Sequence, residues 1–132
     1  MNETVGPSDG KRPEMSGPFR LSATRYKPIF DTRHSYRGAT LVMWFKRGAE
    51  EGRRAGVIVS KRTFHHAVDR NRAKRLLRES FRLSRSHLVQ DVEVILVARS
   101  GIAGCSCQRV MEDLARVCRK CHIWLDEPPD LG

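Results

Sequence analysis

The spacing of apolar residues changes along the chain, and each change marks an element. In ATLVMWFK (39–46), Leu41, Met43 and Phe45 alternate with Thr40, Val42 and Trp44, a period of two that predicts a strand. AGVIVS (55–60) predicts a second strand, and VEVILVA (92–98) is a nearly continuous apolar run of strand length. Between them the period lengthens. On a helical wheel Ala73, Leu76, Leu77, Ser80 and Leu83 gather on one side, which predicts a helix from about Ala67 to Leu83 or beyond. A last helix is predicted over Cys107–Trp124. Val110, Met111, Leu114, Val117, Cys118, Cys121 and Leu125 share its apolar stripe, opposite Glu112, Arg116, Arg119 and Lys120. Upstream, TRYKPIFDTRH (24–34) predicts a short helix with Thr24 as N-cap and Pro28 in or just past the first turn. Tyr26 and Phe30, four apart, share a face of it. RGAEEGRR is a charged loop and SGIAG a turn. The order is helix, two or more strands, helix, strand, helix: an α+β sandwich of one sheet with helices.

The 132 residues suffice for one domain with one modest core. Residues 1–18, rich in Gly, Pro and Ser, read as a disordered tail, 19–125 as the folded domain and 126–132 as a short C-terminal tail. The first residues carry no apolar h-region of a secretory signal, and no apolar run approaches the ~18 residues of a membrane span. The expected location is the cytoplasm, where the four cysteines stay reduced.

Charge sharpens this picture. There are 25 Lys and Arg against 15 Asp and Glu, a formal net charge of +10, which points to a polyanionic partner. The charge concentrates in DRNRAKRLLRESFR (69–82), where Arg70, Arg72, Lys74, Arg75, Arg78 and Arg82 face only Asp69 and Glu79. Arg70, Lys74 and Arg78 form a ridge at i, i+4 and i+8, widened by Asn71, Arg75 and Arg82. An ordinary solvated face mixes signs, because like charges at i, i+4 cost about 0.2–0.5 kcal/mol per pair. Arg75 and Glu79 are one expected favourable pair. The ridge suits nucleic acid. RNA fits better than duplex DNA, since Tyr26, Phe30, Val42 and Trp44 fall outside the core pattern and can meet unstacked bases.

Two catalytic alternatives find little support. A nuclease of the two-metal type needs converging carboxylates, and Asp69, Glu79, Asp91 and Glu93 show no convergence. CRKCH (118–122) matches a haem-attachment spacing and joins CSC (105–107) in a count of four thiols. Cys118 and Cys121 nevertheless sit on the apolar stripe as small core residues. Cys107 and Cys118 are also ~16 Å apart along a continuous helix, too far to share zinc.

VSKRTFHHAVDRNRAKRLLRESFRL (59–83) resembles the central signature of the bacterial ribonuclease P protein subunit. The family's basic pair, Arg-Asn-Arg, Lys-Arg and further Arg correspond to Lys61-Arg62, Arg70-Asn71-Arg72, Lys74-Arg75 and Arg78. A weaker likeness takes in Tyr26, Phe30, Val42, Trp44 and VILVARSG, over about 19–125. The resemblance implies a single-domain α+β sandwich with a left-handed βαβ crossover around the basic helix, an exception to the usual hand. It implies a small subunit of a ribonucleoprotein whose large RNA is the catalyst. That enzyme hydrolyses one phosphodiester of precursor tRNA and releases the 5′ leader. The protein would bind one catalytic RNA, bind the leader and improve cleavage with Mg²⁺, which is bound mainly by the RNA. Carried over by position, Lys61, Arg62, Arg70, Asn71, Arg72 and Arg75 would face the RNA subunit. Tyr26, Phe30, Val42, Trp44, Lys74 and Arg78 would face the leader. No catalytic residue and no metal ligand is assigned to the protein. His65-His66 departs from the family's basic or Gly/Asn-like residues, and Pro28 interrupts the aromatic motif. The competing class is a structural RNA-binding protein of ribosomal type, which would act without that RNA subunit.

Overall fold

A computed structural model describes residues 19–50 and 52–127. The expected tail 1–18 lies outside them, as do residues 128–132. A 3-10 turn (Ala23–Arg25) leads into helix α1 (Tyr26–Asp31). Three strands follow: β1 (Ser35–Arg37), β2 (Leu41–Lys46) and β3 (Arg54–Ile58). Helix α2 (Ala67–Ser84), strand β4 (Glu93–Ala98) and helix α3 (Cys107–Lys120) complete the described chain. The strands form one sheet in the order β1-β2-β4-β3. β2 is antiparallel to β1 and β4, whereas β3 and β4 are parallel. Parallel neighbours need a crossover, and α2 supplies it.

The α+β sandwich is therefore as expected, with helices on both faces of the sheet. Leu41, Met43 and Phe45 of β2 and Val94, Leu96 and Ala98 of β4 point to the larger core, with Ala73, Leu77 and Phe81 of α2 and Val110, Leu114 and Val117 of α3. On the other face Leu21, Ile29 and Ile95 are buried under α1, ringed by Tyr26, Phe30, Trp44, Ile58 and Val97. The two-faced reading of 40–46 thus holds for β2 itself. Thr40 does not follow it. It precedes the strand and is buried against Asp113 of α3, its hydroxyl donating to Oδ2 at 2.6 Å.

Other elements differ in detail. Thr24 is not the N-cap of α1: it lies inside the 3-10 turn, and Arg25 stands at the cap. Strand β3 covers 54–58 rather than 55–60. β1 has no apolar alternation to announce it, since all three of its residues are exposed. The buried stripe of α2 is Ala73, Leu77, Ser80, Phe81 and Ser84, while Leu83 is exposed. The stripe is rotated toward Phe81, about 160° around the wheel from Leu83. Glu79 pairs with Arg82, three residues on, at 2.5 Å, not with Arg75.

α3 ends at Lys120, four residues before the expected Trp124. His122 adopts a left-handed backbone (φ 63°), and its N–H donates to the Arg119 carbonyl while Ile123 N–H donates to that of Cys118. That double bond pattern closes a helix. Leu125 is therefore off the helix, and its N–H donates to the His87 carbonyl. Cys118 and Cys121 remain in the core as expected.

Candidate nucleic-acid interface

The basic ridge begins at a folded loop. Ser60 Oγ accepts from Thr63 N–H at 3.1 Å, and Phe64 N–H donates to the Ser60 carbonyl, also at 3.1 Å. Phe64 anchors the loop in the core, leaving Lys61 and Arg62 exposed. His66 caps α2 in extended backbone without a side-chain capping bond. Arg70 reaches back instead: its Nη1 donates to the carbonyls of Phe64 (2.9 Å) and His65 (3.0 Å). Its guanidinium thus ties the Lys61-Arg62 loop to the helix.

Relative to the buried stripe, the polar side chains of α2 spread over about 200° of the wheel, from Arg70 through Lys74, Arg78, Asn71 and Arg75 to Arg72. Arg70 stands on the flank of Lys74 and Arg78, as its i, i+4, i+8 spacing with them predicts. Arg72 lies on the opposite flank. Asn71, Arg72 and Arg75 are exposed, while Lys74 is half-buried. Burial, with Arg78 and Arg70 close by, pushes the Lys74 pKa down. The ridge therefore concentrates positive charge at its border with the sheet.

Across that border lies the apolar cleft. Phe30 meets Trp44 edge to face, with centroids 5.0 Å apart. Tyr26 lies over Gly56, where even a methyl group would overlap the phenol oxygen. Burial raises the Tyr26 pKa, against the pull of Arg20, Arg78 and the Val57 backbone. That pull joins Arg78 of α2 to Tyr26 of α1 across β3. Tyr26, Phe30 and Trp44 pack around Leu21, Ile29 and Ile95, Val42 shares the Trp44 face of β2, all four keep partial exposure, and Arg78 is near enough to Tyr26 to act on its charge.

Two features of the cleft escaped the sequence reading. One is Gly56, and a glycine inside a strand is the usual sign of such a close approach. The other is Glu93, the lone acid in an apolar run. It is buried and accepts two bonds from Arg25, from Nε and Nη2, both at 2.9 Å. This fork clamps the start of α1 to β4.

Three of the four carboxylates considered for metal binding, all but Asp69, are committed elsewhere. Glu93 holds Arg25, Asp91 accepts from Arg47 (2.8 Å) and from Gly48 N–H (2.9 Å), and Glu79 holds Arg82. No group of three or more His, Cys, Asp or Glu among the described residues is arranged to hold a metal ion.

The model of the family described as Ribonuclease P matches residues 19–122. The chain belongs to the Ribonuclease P protein family. The ribonuclease P protein component of Lactococcus lactis subsp. cremoris (strain MG1363) is 33% identical over 113 residues, covering 85% of this chain and 95% of that one. That of Caldanaerobacter subterraneus subsp. tengcongensis is 33% identical over 99 residues, covering 75% and 84%. The solved Staphylococcus aureus RNase P protein superposes with a TM-score of 0.66 at 25% identity, covering 80% of this chain and 97% of that one. The Thermotoga maritima protein, at 23% identity and a TM-score of 0.66, shares the fold. The resemblance carried by residues 59–83 is therefore a family relationship. As a member of that family, the chain is part of an RNA–protein endoribonuclease that removes the 5′ leader of precursor tRNA. Among its described residues no helix is long and apolar enough to cross a membrane.

Proposed function

We propose that this chain is a non-catalytic subunit, one per catalytic RNA, that holds two RNAs on opposite flanks of α2. The width of the cationic arc carries this reading. A helix about 10–12 Å across with polar side chains over about 200° cannot present them all to one surface. The flank of Lys74 and Arg78 borders the apolar cleft of Tyr26, Phe30, Val42 and Trp44, which suits a single strand with unstacked bases: the leader. The flank of Asn71, Arg75 and Arg72, with the Lys61-Arg62 loop at the helix start, is open to the catalytic RNA. Arg70 serves that side by holding the loop. Magnesium belongs to the RNA in this reading, and no step passes through a metal held by protein.

Cleavage of precursor tRNA at near-physiological Mg²⁺ tests this. The arms are a bacterial ribonuclease P RNA alone, that RNA with the protein, and the protein alone. Efficient cleavage at the mature 5′ end by the mixture only is expected. Cutting by the protein alone would refute the non-catalytic role. Failure to enhance any compatible RNA would move the basic helix to another RNA. Trp44→Ala should weaken binding of leader-bearing substrate by about 1–3 kcal/mol, the worth of a base stack, and leave mature tRNA unaffected. Arg72→Ala should instead weaken assembly with the catalytic RNA, equally for both tRNAs.

A further inference from the structure

Strand register sorts the cleft face into three rows, of which Arg54, Glu93 and Lys46 form the one that Arg25 clamps. Gly56, Ile95, Trp44 and Ser35 stand side by side across the four strands. α1 covers this row, with Tyr26 over Gly56, Ile29 packed with Ile95 and Phe30 against Trp44. The next row is Ile58, Val97, Val42 and Arg37. Its three apolar members keep partial exposure, and Arg37 is exposed. Directly opposed residues of an antiparallel pair share a face, so Arg37 stands beside Val42 on the cleft side. None of the described hydrogen bonds or ion pairs engages its guanidinium. α2 packs on the opposite face of β3 and β4 through Ala73, Leu77 and Phe81, and its Arg78 acts on Tyr26 at the β3 edge. The cleft face thus has Arg78 at its β3 edge, Arg37 at its β1 edge and an apolar floor between them.

We propose that Arg37 binds a backbone phosphate of the leader, beyond the nucleotides held at α2. This rests on the reading of the cleft as the leader site. The strand enters over α2, crosses the sheet perpendicular to its strands along Ile58, Val97 and Val42, and leaves past β1. Three strand intervals of about 4.8 Å separate Ile58 from Arg37. That distance corresponds to about two to three nucleotides of extended strand. Arg37 is therefore a contact for long leaders only. The cation makes no contact with a base edge, so it senses leader length and not leader sequence.

The test is affinity of the reconstituted holoenzyme for precursor tRNAs with leaders of increasing length, for wild type, Arg37→Ala, Arg37→Lys and Lys74→Ala. Arg37→Ala should match wild type on short leaders and lose about three- to tenfold on long ones, as for one charge-assisted contact. Its affinity gain with length should level off about two to three nucleotides early, and its salt slope on long leaders should fall by about one. Arg37→Lys should keep most of the gain, and the melting temperature of the free variants should not move. If Arg37→Ala equals wild type at every length while Lys74→Ala loses the leader gain, the Arg37 contact is wrong and the cleft stands. If neither variant changes the length dependence, the cleft reading falls and this contact with it.

Discussion

Asp113 is fully buried, yet it carries a charge that organises the turn before β2. Its Oδ2 accepts from Thr40 N–H (2.8 Å) and from the Thr40 hydroxyl (2.6 Å), its Oδ1 accepts from Ala39 N–H (3.3 Å), and Arg116 pairs with it. Burial works to raise its pKa, but these donors outweigh burial and leave it below the ordinary carboxylate value. A depressed native pKa adds stability above the unfolded value of about 4, and this is lost as pH falls through the native value. Asp113→Ala should cost about 2–4 kcal/mol at pH 7, by orphaning the buried donors. In urea melts the gap from wild type should narrow toward pH 3. The thiols give a second prediction at this scale. Burial pushes the Cys118 pKa well up and raises that of Cys121 to about 11. Alkylation of the native protein should therefore modify Cys105 and Cys107 first, as peptide mass spectrometry would report. Cys118 was legible as a core residue because its helical stripe was. Asp113 was not, since its donors at Ala39 and Thr40 are more than seventy residues away.

The elements were legible where apolar spacing carried them, which includes β2, β4 and the extent of α2. They failed where backbone chemistry decided. The short β1 buries none of its residues, and α3 ends at Lys120, closed by left-handed His122 without the glycine or proline that would mark the end. A non-glycine residue pays about 1–2 kcal/mol to sit in the left-handed region. His122→Gly, at an exposed position, should therefore stabilise the fold by about 0.5–1 kcal/mol, read as a higher urea midpoint with unchanged slope. On α2 the cationic flanks were legible from the wheel. Their division was not, because it depends on where α1 and β3 lie. Arg70 shows the limit: the wheel placed it on the ridge with Lys74 and Arg78 but could not show that its side chain binds the preceding loop.

The whole molecule carries a formal charge of +10, much of it on one helix, so the native state repels itself where its partners would bind. Multivalent anions that bind the ridge should stabilise the protein by mass action. At ten times its Kd such an anion adds about 1.4 kcal/mol. Sulfate should therefore raise Tm by several degrees over chloride at matched ionic strength. Equal melting temperatures in the two salts would mean that the ridge holds no anion.

The sheet order also sets a timetable for biosynthesis. β4 lies between β2 and β3, with Leu41 opposite Ala98 and Val57 opposite Leu96. A chain emerging from the ribosome thus exposes α1, β2, β3 and the whole of α2 before the strand that joins them exists. Until β4 arrives, Arg25 has no Glu93 to grip and neither apolar face has its centre. The polycation is made first and its scaffold second, in a compartment crowded with RNA. The nascent chain must wait for its central strand with its most adhesive segment already outside.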